Sequence, residues 1–136
     1  MIRRMYDVPV ELNWVEKRAA CSAVQVFKEL QTGIECDVAA ANKAETMPGP
    51  FMTTLTPDGN AFIVSMKHEN GPRIVFNFAN DRIQVKDERR NLKVTASLTL
   101  NNSGRCVLKI DGAELEQWQF RKIALESFFF GDTDNE

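Results

Sequence analysis

The chain has one histidine, three cysteines, seven glycines and five prolines in 136 residues, and no long apolar run. Each scarcity excludes something. With so few glycines and prolines it is neither collagen-like nor low-complexity. No stretch approaches the roughly 18 apolar residues of a membrane-spanning helix. The opening, Met1-Ile2-Arg3-Arg4-Met5-Tyr6-Asp7, has two arginines but no apolar core after them, so it does not read as a secretory signal. A net charge of -2, from 17 basic and 19 acidic residues, argues against a protein held chiefly by nucleic-acid phosphates.

The scarcities also thin the chemistry. A histidine-dependent catalytic set could use only His68, which stands beside Ser65 and Glu69 without a nucleophile-elbow pattern; a solvated strand-end histidine is the preferred reading. Cys21, Cys36 and Cys106 are an odd set without close pairs, so the expectation is no disulfide framework but three small buried thiols in a cytoplasmic protein. With His68 they have a zinc-type composition, but no close ligand pair. Isolated glycines without GxGxxG or GxxxxGK[ST] spacing exclude a phosphate loop. Asp132-Thr133-Asp134 opens like a calcium loop that is never completed. No cofactor and no metal are expected.

What is present predicts an α+β fold: an antiparallel meander of about six strands, covered by an N-terminal helical region and a C-terminal helix. Residues 1–12 read as an arm or edge strand, with Pro9 confining it to an edge. Asn13 and Glu16 form a capping-box pattern opening a helix to Thr32, with Val15, Ala19, Ala23, Val26, Phe27 and Leu30 along one side and Gly33 as its C-terminal glycine. A hairpin over residues 21–38 is the rival, because Val24, Val26, Lys28 and Leu30 also alternate; even beside the helix, 34–38 reads as a strand. Residues 39–45 extend the helical region.

After Thr46-Met47-Pro48-Gly49-Pro50 the character changes. Residues 51–56, 60–68, 73–80, 82–87, 92–100 and 105–110 are short runs rich in Val, Ile, Phe and Thr, separated by Pro-Asp-Gly, Asn-Gly-Pro, Asn-Asp and Asn-Asn-Ser-Gly turns. Phe62, Val64 and Met66 point one way; so do Ile74, Phe76 and Phe78, then Val94, Ala96, Leu98 and Leu100, then Cys106, Leu108 and Ile110. One face is therefore buried and the other wet. Asp111, with Glu114 three residues on, predicts the cap of a closing helix over 112–130 whose main stripe is Leu115, Trp118, Leu125 and Phe129; a hairpin at Asp111-Gly112, leading to a strand with Trp118 and Phe120, is the alternative. Residues 131–136 form an acidic tail, and there is no internal repeat or domain boundary.

This element order is similar to the helix-grip arrangement, in which a curved sheet wraps a C-terminal helix around an apolar cavity. A helix at 82–91 would instead make it resemble small acidic bacterial secretion chaperones, which are dimeric binding proteins.

Charge is unevenly spread. Residues 81–110 carry a net +4 and residues 111–136 a net -5. The basic run is either a sheet edge guarded by Lys and Arg or a patch for an acidic partner, with Arg82, Lys86, Arg89 and Arg90 as its candidates. Carboxylates for an enzyme would be Asp58, Glu69 or Asp87, all near predicted turns. Phe120 and Phe128 fall away from the main stripe of the closing helix and are candidates for an interface with a second chain. The expected function is a non-catalytic protein- or peptide-binding module that self-associates as a homodimer, with no membrane partner and nucleic acid disfavoured. The alternative is a small apolar-ligand binder with a cavity between sheet and helix.

Overall fold

The computed structural model describes residues 14–44, 50–66, 71, 73–79 and 82–131. The expected arm at 1–12, the Asn13 cap, His68, Glu69 and the acidic tail from 132 lie outside the described residues.

Two helices open the fold. α1 (Trp14–Ala20) buries nothing. The chain breaks at Cys21, and Ser22 caps α2 (Ala23–Lys43), its hydroxyl accepting from the Gln25 N–H at 3.2 Å. The expected stripe thus begins at Ala23: Val15 and Ala19 are exposed, whereas Val26, Phe27 and Leu30 are buried. The stripe then runs on through Ile34, Val38 and Ala41. Neither a C-terminal glycine at 33 nor a strand at 34–38 survives, because three- and four-residue spacing continues unbroken across Gly33 and a longer helix buries more apolar surface. At its end, Asn42 behaves like one more strand residue. Its amide oxygen accepts the Phe51 N–H at 2.7 Å and its amide nitrogen donates to the Phe51 carbonyl at 3.0 Å, tying the start of the sheet to α2.

Seven strands follow: β1 (Phe51–Leu55), β2 (Ala61–Met66), β3 (Ile74–Ala79), β4 (Arg82–Asp87), β5 (Leu92–Leu100), β6 (Cys106–Ile110) and β7 (Ala113–Leu115). They pair in sequence order in one antiparallel sheet. The register carries one apolar row from strand to strand: Phe62 opposite Phe76, Phe76 opposite Val85, Val85 opposite Val94. Residues 82–91 are strand and turn, so the element order of the secretion chaperones does not apply.

The seventh strand corrects the expected start of the closing helix. Asp111 and Gly112 both take positive φ, 51° and 85°, the two-residue hairpin turn that right-twisted strands favour. That turn pairs Ile110 with Ala113 and Leu108 with Leu115. The helix cap moves to Glu116, whose N–H donates to the Gln119 side chain at 2.8 Å, and α3 spans Gln117–Phe130. Trp118 and Phe120, which the hairpin alternative put in a strand, are helical.

α2 and α3 cover the same sheet face. Leu30, Ile34, Phe76, Phe120, Ile83 and Leu108 form the fully buried centre. Phe76 meets Phe120 edge-on at 6.3 Å, and Phe51 packs on Phe129 at 4.8 Å and Phe128 at 5.5 Å. A disulfide joins Cys21, at the α1–α2 junction, to Cys106 of β6, with Cα atoms 5.4 Å apart. It overturns the expectation of three separate buried thiols, and Cys36, the remaining one, is exposed. The 85-residue separation leaves no local signature of the pairing. No helix among the described residues is long and apolar enough to cross a membrane.

Candidate functional site

Three places bear on function: the turn after β4, the sheet face opposite the helices, and the groove between α2 and α3.

The turn divides the predicted basic patch. Asp87, expected to be solvated, is the buried charged residue of the described core, at 2% exposure. It ends β4 on the helix-covered face, opposite Ile74. Its Oδ1 accepts the backbone N–H groups of Arg89 and Arg90 at 3.0 and 3.2 Å, and its Oδ2 receives Arg90 Nε at 2.6 Å. The Arg89 guanidinium lies 3.8 Å from the same carboxylate and reaches across to α3, donating to the Ser127 carbonyl at 3.3 Å and to the Ser127 hydroxyl. Arg89 and Arg90 are therefore struts that fix the turn and the end of α3. The space beside them, walled by Val85, Asp87, Leu92, Val94 and Ala124, is about 10 Å³, too little for any ligand.

Arg82 and Lys86 face the other way. Alternation along β4 puts them on the sheet face opposite α2 and α3, where both are exposed. The register adds residues that the linear patch did not single out as site candidates. Lys86 stands directly opposite Lys93 of β5, and Arg82 opposite Ser97, which is itself opposite Lys109 of β6. Gln84 and Thr95 lie between the two rows. Among the described residues, Lys86, Lys93 and Lys109 form no ion pair within 4 Å. Like charges directly opposed across strands destabilise a sheet, so the Lys86–Lys93 pair is unfavourable for the fold. Arg82, Lys86 and Lys109 lie on strands paired on both sides, whereas Lys93 lies on the part of β5 that precedes its pairing with β6 and is a local edge. The signal available beforehand was the net +4 of residues 81–110; pairing decided which of those charges share a face.

The groove runs along the outside of the helix pair. It encloses about 380 Å³, with Ala40, Ala41, Ala44 and Leu125 as its apolar wall and Trp118, Phe129 and Phe130 along α3. Arg121 Nε bonds Asp37 Oδ2 at 2.7 Å across it, and Lys122 Nζ pairs with Glu126 Oε1 at 3.2 Å along its rim. The predicted interface residues are not here. Phe120 is 1% and Phe128 9% exposed, both turned to the sheet, because α3 is rotated relative to the expected stripe. The exposed apolar residues of α3 are Trp118, Ile123 and Phe130.

Asp58 and Asp87, the described two of the three carboxylates named from sequence, do not converge. Asp58 lies in the β1–β2 turn and Asp87 at the opposite end of the sheet. The Thr56 hydroxyl, at 2.7 Å, and the Asn60 N–H, at 3.0 Å, hold the Asp58 carboxyl below its ordinary value. Glu88 is held below its own by hydrogen bonding to Arg73, whose backbone N–H and guanidinium bond its two oxygens, with Lys86 adding a smaller attraction. Both are surface turn chemistry. Among the described residues no three His, Cys, Asp or Glu side chains gather to hold a metal ion. Comparison with protein-family models, with curated proteins and with solved structures returned no match for this chain.

Proposed function

We propose that the protein is a non-catalytic binding module in which the sheet face opposite α2 and α3 docks an acidic protein segment. The observation that carries this reading is the Lys86–Lys93 pair. Two cations directly opposed on an exposed face cost stability, and an anionic partner converts that cost into attraction. Arg82 lies on the same face, as does Lys109, whose cross-strand neighbour on β7 is Glu114, and Asn77, Gln84, Thr95 and Ser97 offer hydrogen bonds between the charges. A protein partner is favoured over nucleic acid because no aromatic side chain stands among these residues to stack bases, and because the whole chain is net acidic. Exposed charges set association rate and register more than affinity, which suits a reversible contact. In a cytoplasmic setting, the one the sequence reading favours, Cys21 and Cys106 would be kept as thiols; their bond belongs to an oxidising compartment.

The test is fluorescence anisotropy with a labelled oligoglutamate peptide. Binding is expected to weaken steeply with added salt and to be lost in the double variant Lys86→Glu/Lys93→Glu, while Arg73→Ala, outside the cluster, binds as the wild type does. Equal binding by the charge-reversed variant overturns the reading. Tighter binding of a single-stranded oligonucleotide of matched charge moves it to nucleic acid.

A further inference from the structure

We propose that α3 is the contact of a two-fold symmetric dimer, with a second copy of this chain as its occupant. The inference goes beyond the sheet-face reading and uses the other side of the molecule. Trp118, Lys122, Glu126 and Phe130 follow one another every four residues, and all are more than half exposed. Such a four-residue row is the ridge used by the commonest class of helix packing.

The order of chemistry along that ridge is aromatic, cation, anion, aromatic. An isologous interface requires that if residue i meets residue j of the partner, then j meets i. Lay a second α3 antiparallel on the first, with the two-fold axis level with Ala124. Trp118 then faces the partner's Phe130, and Lys122 faces the partner's Glu126; the axis generates the reciprocal pairs. A parallel arrangement would set Lys122 against the partner's Lys122 and is disfavoured. The row is thus complementary to its own reversed copy, in charge as well as in apolar character.

The groove supplies room for the rings. Its far wall is Ala40 and Ala41 of α2 and Ala44, the residue that caps it, side chains small enough to let an incoming aromatic ring approach the helix backbone. Trp118 at 53% and Phe130 at 64% exposure are the two anchors, of the residue types that concentrate at interface centres. The 14-residue helix is about 21 Å long, so both anchors engage in one contact.

Charge reversal tests this with full-length protein, by light scattering coupled to size exclusion. The wild type is expected to run as a dimer at high micromolar concentration. Lys122→Glu places four carboxylates at the contact and Glu126→Lys places four ammonium groups there, so each variant alone is expected to be monomeric. Mixed together, the two variants restore both cross-pairs and are expected to form a heterodimer. The double variant K122E/E126K, which keeps its intrahelical pair, is expected to dimerise with itself. Circular dichroism should show unchanged folds, since both positions are exposed. A wild type that stays monomeric, single variants that dimerise like the wild type, or a mixture that stays monomeric each overturns the proposal. Lys86→Glu/Lys93→Glu is expected to remain dimeric, which separates this surface from the sheet face.

Discussion

Arg121 of α3 lies across Gly33 of α2 so closely that a Cβ at position 33 would stand 2.5 Å from the guanidinium Nη1 and 2.7 Å from its central carbon. The missing side chain is the passage through which Arg121 reaches Asp37 at 2.7 Å. It accounts for a glycine in the middle of a 21-residue helix, where its φ is ordinary and its cost is entropic.

Gly33→Ala therefore has two opposed effects. Alanine gains about 1 kcal/mol of helix propensity, and its methyl displaces Arg121 from Asp37. The net change in chemical denaturation is expected to be small. In an Arg121→Ala background the clash is gone, and the same substitution is expected to stabilise by about 1 kcal/mol. A double-mutant cycle without coupling would show that the close approach carries no energy.

Cutting the Cys21–Cys106 bond, by reduction or by Cys21→Ser/Cys106→Ser, releases a loop with a sequence separation of 85. The chain-entropy account puts the loss at about 4–5 kcal/mol, with measured losses often smaller. The midpoint of urea unfolding should fall by the corresponding amount, with and without reductant giving the same curve in the double serine variant. Cys36→Ser should leave the oxidised midpoint in place.

Asp87→Ala removes an acceptor that satisfies two backbone N–H groups and the Arg90 side chain. Because Asp87 is buried, the expected loss is about 3 kcal/mol, the low end for breaking a buried pair, since both arginines can rehydrate. Asp87→Asn keeps the oxygen that accepts the backbone bonds, and should recover part of the loss. Hydrogen exchange at Arg89 and Arg90 should accelerate in the alanine variant and much less in the asparagine one.

Glu88 makes stability fall on the acid side. Its folded-state value is depressed by Arg73, so the folded form binds protons less readily than the unfolded chain. The contribution is fully present above pH 4.5, the ordinary value for this carboxyl, and disappears as the pH drops through the lower folded value. Both side chains are exposed, so the effect is small and sensitive to salt. Comparing wild type with Glu88→Gln, the stability gap should narrow below pH 4.5; a gap that is constant with pH would show that the Arg73 contact does not favour the ionised form.

Much of this architecture is written locally. Alternation at 62–66, 74–78 and 83–85 has period two, and each strand's inward face follows from its own residues once one face must be dry. Turn residues between strands do the same for connectivity: Asp58 and Asn101 bond their own backbones, and short turns leave adjacent strands antiparallel. That is why a meander roofed by terminal helices could be read from the chain.

Other features depend on partners far away in sequence, and there only the tertiary structure decides. Gly33 reads as a helix end until Arg121, 88 positions later in the chain, is seen to occupy its space. Asp111-Gly112 satisfies a helix cap and a hairpin equally well, and the free pairing edge of β6 settles it for the hairpin. Phe120 and Phe128 have no inward direction until α3 has a sheet to turn toward. The basic patch is a net charge in the sequence; cross-strand register sets Lys86 opposite Lys93 and puts Arg82 and Lys109 on the same face, while the burial of Asp87 takes Arg89 and Arg90 away from them. Local chemistry determined the elements and their turns, because those energies involve residues within reach along the backbone. The pairings that give the molecule its surfaces were decided in three dimensions, because only the folded chain brings their members together.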